Sequence, residues 1–135
     1  SDAVADYYNN KKLAYHFIKN VQHDIIVLIN DPVSGYYPLV VTNDTRRAAN
    51  GVVSVTDVGS GKEVFKGRFS VDANSKNVIT GLQEMSGNGM LLIRYTIEGK
   101  SYANHYLYGK PPYALKDYKQ LLEKTKIYNL NKFNL

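Results

Sequence analysis

The chain has 135 residues, 44% of them hydrophobic, and no cysteine, which suits one domain with a real core and excludes a (β/α)₈ barrel, a disulfide scaffold and any thiolate metal site. Its 17 basic against 12 acidic residues give a formal net charge of +5. The basic residues are spread along the chain, dense only at Arg46-Arg47 and between Lys116 and Lys126, so no nucleic-acid partner is expected, and no apolar run nears the roughly 20 residues that cross a bilayer, so no membrane partner is expected.

Behind the polar turn Asn9-Asn10, Leu13, Ala14, Phe17, Ile18 and Val21 recur at helical spacing and predict a short helix over about Lys11 to Val21. The period then changes. Ile25 to Ile29 is an unbroken apolar run ended by Asn30-Asp31-Pro32, as in a buried strand followed by a turn. Tyr36 to Thr42 predicts a second strand, closed by Asn43-Asp44-Thr45, and Gly51 to Asp57 a third, in which Val53 and Val55 alternate with Ser54 and Thr56. Gly59-Ser60-Gly61 supplies a hairpin turn. In the returning strand Phe65, Gly67, Phe69 and Val71 share one face and Lys66, Arg68 and Ser70 the other, the pattern of a sheet with one dry and one wet side.

Val78 to Leu82 predicts a fifth strand. After Ser86-Gly87-Asn88-Gly89, Leu91, Ile93, Tyr95 and Ile97 alternate with Leu92, Arg94 and Thr96, and Glu98-Gly99-Lys100 turns tightly into a strand over Ser101 to Tyr108. Seven short strands with frequent turns and no helix between them disfavour a parallel sheet and predict a mainly β chain: an immunoglobulin-like antiparallel β-sandwich. Beyond Pro111-Pro112, Leu115, Tyr118, Leu121 and Leu122 form one face of a second helix, with Lys116, Lys119, Glu123 and Lys124 largely on its other side. The expected organisation is therefore an N-terminal helical linker over 1–22, a sandwich over 23–110, and a C-terminal helix and tail over 111–135.

Chemistry is sparse in this pattern. The carboxylates Asp31, Asp44, Asp57, Glu84 and Glu98 sit in or beside turns, where such groups bond their own backbone, and no two of them pair as a glycosidase requires. His16, His23 and His105 form no close-spaced ligand set, so neither a metal nor another cofactor is expected. No serine lies in a nucleophile elbow, and Gly87-Asn88-Gly89 is too short for a phosphate loop. Asn43-Asp44-Thr45 matches an N-glycosylation sequon, with a strand-end turn as its simpler role. Tyrosine usage is high, with 12 Tyr and no Trp. Tyr36, Tyr37, Tyr102 and Tyr106 are candidate rings for stacking on an oligosaccharide; the plainer reading is that they cover the sheet and bond at its rim.

Three segments carry a resemblance. Asp6 to Lys19, DYYNNKKLAYHFIK, resembles the D-Y-Y-G-R-x-K-x-A-Y-Y-x-x-K segment at the end of the catalytic barrel in glycoside hydrolase family 2 enzymes of the β-mannosidase or β-galactosidase kind; Asp6, Tyr7, Tyr8, Lys12, Ala14, Tyr15 and Lys19 match, and Asn9-Asn10 replaces Gly-Arg. Asn104 to Leu122, NHYLYGKPPYALKDYKQLL, is similar to the N-H-Y-L-x-G-K-P-P-F tail of such enzymes, and Asn43-Asp44-Thr45 to a strand end in their immunoglobulin-like domain. The resemblance implies that this chain is the piece following a retaining barrel, partnered by that barrel in the same polypeptide, with an exported parent. The family's two glutamates match no position here, so no catalytic residue is expected in this chain.

Three readings follow: a non-catalytic C-terminal accessory sandwich that supports the barrel and shapes its cleft, an autonomous carbohydrate-binding module using surface tyrosines, and an immunoglobulin-like spacer or adhesion module.

Overall fold

The computed structural model describes residues 24–109 together with Gln120 and Glu123. Seven strands follow one another: β1 (Ile25–Ile29), β2 (Tyr36–Asn43), β3 (Ala49–Asp57), β4 (Lys62–Val71), β5 (Ser75–Gln83), β6 (Gly89–Ile97) and β7 (Lys100–Tyr108). Every strand expected from the sequence is present, most of them extended by one to three residues. The helix expected over Lys11–Val21 lies outside the described residues. So does the C-terminal one, apart from Gln120 and Glu123, which are helical and exposed. Among the described residues no helix is long and apolar enough to cross a membrane.

All pairings are antiparallel, and they build two sheets, one ordered β1-β2-β5 and the other β4-β3-β6-β7. The inner faces follow the period of two. Val27 and Ile29, Tyr37, Leu39 and Val41, and Leu82 come from the first sheet. Val53 and Val55, Phe69 and Val71, Leu91, Ile93, Tyr95 and Ile97, and Tyr106 and Tyr108 meet them from the second in one buried cluster. Burying each such side chain contributes about 1.5–3 kcal/mol, which makes this interlayer the main source of stability.

Local chemistry explains the joints. Glu98 and Gly99 both take positive φ, 53° and 79°, the backbone of the two-residue hairpin that fits the twist of β6 and β7. Pro38 sits in the middle strand of its sheet, normally a forbidden place. Its carbonyl accepts from Asn30 N at 3.0 Å, so its ring nitrogen points to the same side, just past the end of β1, where no ladder donor is needed. Ladder irregularities fall at Leu39/Val40 and Val55/Thr56.

One difference from the simple alternation matters below. In β6, Met90, Leu91, Leu92 and Ile93 are all buried, so this central strand is dry on both faces at that end, whereas β4 keeps the one dry and one wet side read from its sequence.

Gly51 is a point of close approach in the second sheet. A Cβ there would meet the Thr96 carbonyl oxygen and stand 2.8 Å from Phe69 Cζ, because the Phe69 ring lies over the glycine. Gly51→Ala is expected to lower the unfolding free energy by about 1–3 kcal/mol, read as a reduced denaturant midpoint at unchanged slope.

Candidate functional site

The four candidate tyrosines do not share a surface. Tyr37 and Tyr106 are core residues, which corrects their reading as sugar-stacking rings. The period of two tells which residues of β7 share a face but not which face turns inward, and the set containing Tyr106 and Tyr108 turns in. The Tyr37 ring lies 5.4 Å from Tyr106 and 6.4 Å from Tyr108, so neighbouring rings occupy the faces a sugar would need. Tyr36, 54% exposed, stands on the outer face of the three-stranded sheet. Tyr102 is half-buried at the opposite end of the strands, its ring 5.5 Å from Tyr95.

Three of the four inward phenols have their hydroxyls anchored on loops at one end of the sandwich, and the fourth, Tyr95, bonds the Val27 backbone in β1. Tyr37 Oη accepts from Met85 N at 3.2 Å, Tyr106 Oη donates to Asp31 Oδ1 at 3.1 Å, and Tyr108 Oη donates to Asp57 Oδ1 at 3.0 Å. Asp57 Oδ2 then accepts from Ser60 Oγ at 2.6 Å and Ser60 N at 3.3 Å, which closes the β3–β4 turn. Two of the carboxylates read from the sequence as turn residues, Asp31 and Asp57, therefore serve the fold.

At the other end, the β2–β3 connection, the start of β1 and the β6–β7 hairpin enclose a hollow of about 330 Å³. Ile25, Ala49, Ile97 and Tyr102 supply its apolar part, and Asp24, Glu98, Arg47 and Lys100 its charged rim. An aromatic ring flanked by paired donors and acceptors is the composition that holds a polyol ring. Tyr102 is the one of the four candidates placed there.

The wall of that hollow is held by Asn43, fully buried at the end of β2. Its Nδ2 donates to the Arg47 carbonyl at 2.8 Å and the Asp72 carbonyl at 3.1 Å, and its Oδ1 accepts from Thr45 N at 2.9 Å and Thr45 Oγ1 at 2.7 Å. Both amide hydrogens and the carbonyl are thus engaged, and the Asn43-Asp44-Thr45 segment is a closed turn whose amide nitrogen is out of reach of a glycosyl donor in the folded state.

A second feature, which the sequence did not announce, is the outer face of the three-stranded sheet. The register places Ile26 and Leu28 beside Thr42 and Val40, Val40 opposite Val78, and Pro38 opposite Gly81, all on the face turned away from the core. Tyr36 covers Gly81 at the end of the row, its Cβ 3.3 Å from where a glycine Cβ would lie. Val78 is 61% exposed. A sheet that is apolar on both sides has a second layer to find.

No family model matches this chain, and no curated protein matches it.

Burial pushes the Tyr95 phenol well above its usual range, against a hydrogen bond with the Val27 backbone that acts the other way. Tyr37 is raised by burial too, with its Met85 backbone bond opposing and the Glu84 charge adding. A phenol with a raised folded-state pKa contributes stability that is present below its unfolded value, about 10, and is lost as pH rises through the folded value. The denaturant midpoint is expected to fall as pH climbs past about 10, and to fall less steeply in Tyr95→Phe. Asn43→Ala strands two carbonyls and the Thr45 amide, and is expected to cost about 2–4 kcal/mol by chemical denaturation.

Proposed function

We propose that this chain is a non-catalytic C-terminal β-sandwich of a family 2 glycoside hydrolase, an immunoglobulin-like domain that seats against the catalytic barrel of its own polypeptide. The resemblance of Asp6–Lys19 and Asn104–Leu122 to that family supplies the identity of the partner. The strand order β1-β2-β5 over β4-β3-β6-β7 is compatible with the immunoglobulin-like arrangement it implies.

The observation that carries the docking role is the apolar part of the outer face of the three-stranded sheet, where Ile26, Leu28, Tyr36, Pro38 and Val78 surround a buried Val40, with Thr42 and Lys76 at the end of the same face. Covering two or three of these side chains contributes about 1.5–3 kcal/mol each, enough to fix a domain orientation. β1 is the first strand after the segment that resembles the barrel's end, which puts this face next to the point where a preceding domain would join.

A second reading, an autonomous carbohydrate-binding module, has the hollow around Tyr102 in its favour. It retains one ring of the four the sequence offered, since Tyr37 and Tyr106 are core.

The two readings separate in one comparison: the parent protein and this chain are assayed side by side on aryl β-mannosides and β-galactosides, and the chain is titrated with the matching oligosaccharides. The accessory reading expects turnover by the parent alone and no saturable binding by the chain. It also expects Leu28→Asp and Val78→Asp to loosen the parent's domain packing, seen as faster proteolysis between the two parts. Saturable binding abolished by Tyr102→Ala would instead favour the binding module, and hydrolysis by the chain alone would defeat both.

A further inference from the structure

Two parts of the chain supply the charged rim of the hollow at the β6–β7 end. Asp24, at the start of β1, stands with Arg47 of the β2–β3 connection, and Glu98 and Lys100 belong to the β6–β7 hairpin. Each part thus contributes one acid and one base. Among the described residues, no ion pair or side-chain hydrogen bond engages any of the four. Their backbones, in contrast, are held. Asp44 N donates to the Asp24 carbonyl at 2.8 Å, Asn43 Nδ2 donates to the Arg47 carbonyl at 2.8 Å, and Glu98 takes the positive φ of the tight hairpin. Charged groups on fixed backbones, unoccupied by one another, are a preorganised set for a ligand.

The apolar part is equally fixed. Tyr102 lines the hollow, and the buried Tyr95 ring packs on it with centroids 5.5 Å apart and planes tilted by 32°, so the core supports the ring from one side. Ile25, Ala49 and Ile97 complete the apolar surface. The volume, about 330 Å³, is at the small end of ligand pockets, which run from roughly 300 to 1,000 Å³, and suits one small molecule rather than a polymer.

We propose that this hollow binds a free α-amino acid with an apolar side chain. Asp24 and Glu98 take its ammonium, Arg47 and Lys100 its carboxylate, and its side chain lies on Tyr102. A lone cation or anion placed there meets a like charge from each part of the rim. A polyol can stack on the ring, but it brings no charge to the four ionised groups, whereas a zwitterion answers both signs with charge-assisted hydrogen bonds. This inference does not rest on the parent enzyme, and it gives the hollow an occupant other than the oligosaccharide of the second reading.

The chain is titrated with L-leucine and L-phenylalanine while its backbone amides are followed by NMR. Shifts at Ile25, Arg47, Ala49 and Tyr102 are expected to saturate in the millimolar range, while those of Tyr36, Val78 and Tyr108 stay in place. N-acetyl-leucine lacks the ammonium, leucine amide lacks the carboxylate and glycine lacks the side chain, and each is expected to bind about tenfold more weakly than leucine. Asp24→Asn with Glu98→Gln is expected to abolish the preference for leucine over N-acetyl-leucine. Arg47→Gln with Lys100→Gln is expected to abolish the preference over leucine amide. All four side chains are exposed, so the core amides report that both variants keep the fold. Absence of saturation with both amino acids, equal affinity for leucine and its two blocked forms, or the same shifts saturating with methyl β-mannoside would each overturn the proposal.

Discussion

A tyrosine buried between two sheets must deliver its hydroxyl to a partner, and in this protein that requirement ties the core to the loops. Tyr37, Tyr106 and Tyr108 contribute apolar area to the interlayer and reach out at one end to Met85, Asp31 and Asp57. Each ring thereby fixes a different connection: β5 to β6, β1 to β2, and β3 to β4. Packing and loop geometry are one system at this end, since moving a strand moves the ring that holds a loop. Toward the opposite end Tyr95 ties β6 to the Val27 backbone of β1, and the buried amide of Asn43 joins the β2–β3 connection to the β4–β5 turn.

The same arrangement decides what the carboxylates can do. A glycosidase site needs two carboxyl groups facing a substrate across a gap. Asp57 directs one oxygen to Tyr108 and the other to Ser60, and Asp31 receives Tyr106, so two of the turn carboxylates are engaged by the fold. Asp24 and Glu98 share a hollow instead with Arg47 and Lys100, a balanced rim suited to holding a neutral polar group. Asp31 and Asp57 are spent on anchoring tyrosines and turns.

How much of this was legible in the sequence follows from what a period of two contains. Alternation, and in β1 an unbroken apolar run before a turn, located the seven described strands, and Gly59-Ser60-Gly61 and Glu98-Gly99 announced their turns, because those signals are local. Alternation in β7 sorts Tyr102, Asn104, Tyr106 and Tyr108 from Ala103, His105 and Leu107, yet both sets mix polar and apolar groups, so the inward one was not decidable from β7 alone. Tyr106, and Tyr37 in β2, are core rings bonding at the end of the sandwich, nearer the plainer reading of the sequence than the sugar-stacking one. β6 gave the same ambiguity in another form: Leu91 and Leu92 are equally apolar, and both faces prove to be covered. The Asn43-Asp44-Thr45 turn was legible because an Asx side chain bonds its own near backbone; that the same amide also reaches Asp72 was not, since that contact joins segments 29 residues apart.

Each sheet carries apolar residues on its outer face as well as its inner one. A two-layer sandwich standing alone needs one apolar face per sheet, and each additional one costs solubility until something covers it. In the four-stranded sheet the extra apolar area is confined to one half and is already sealed, as the burial of Met90, Leu92 and Ala103 shows. In the three-stranded sheet it runs from Ile26 to Val78 and remains partly open, with Tyr36 and Val78 the most accessible members. A free-standing spacer would gain from polar residues at those positions, and a strand position such as 78 accepts Thr or Lys without loss of pairing. Valine, leucine and isoleucine at such positions are favourable only when the face is buried in use.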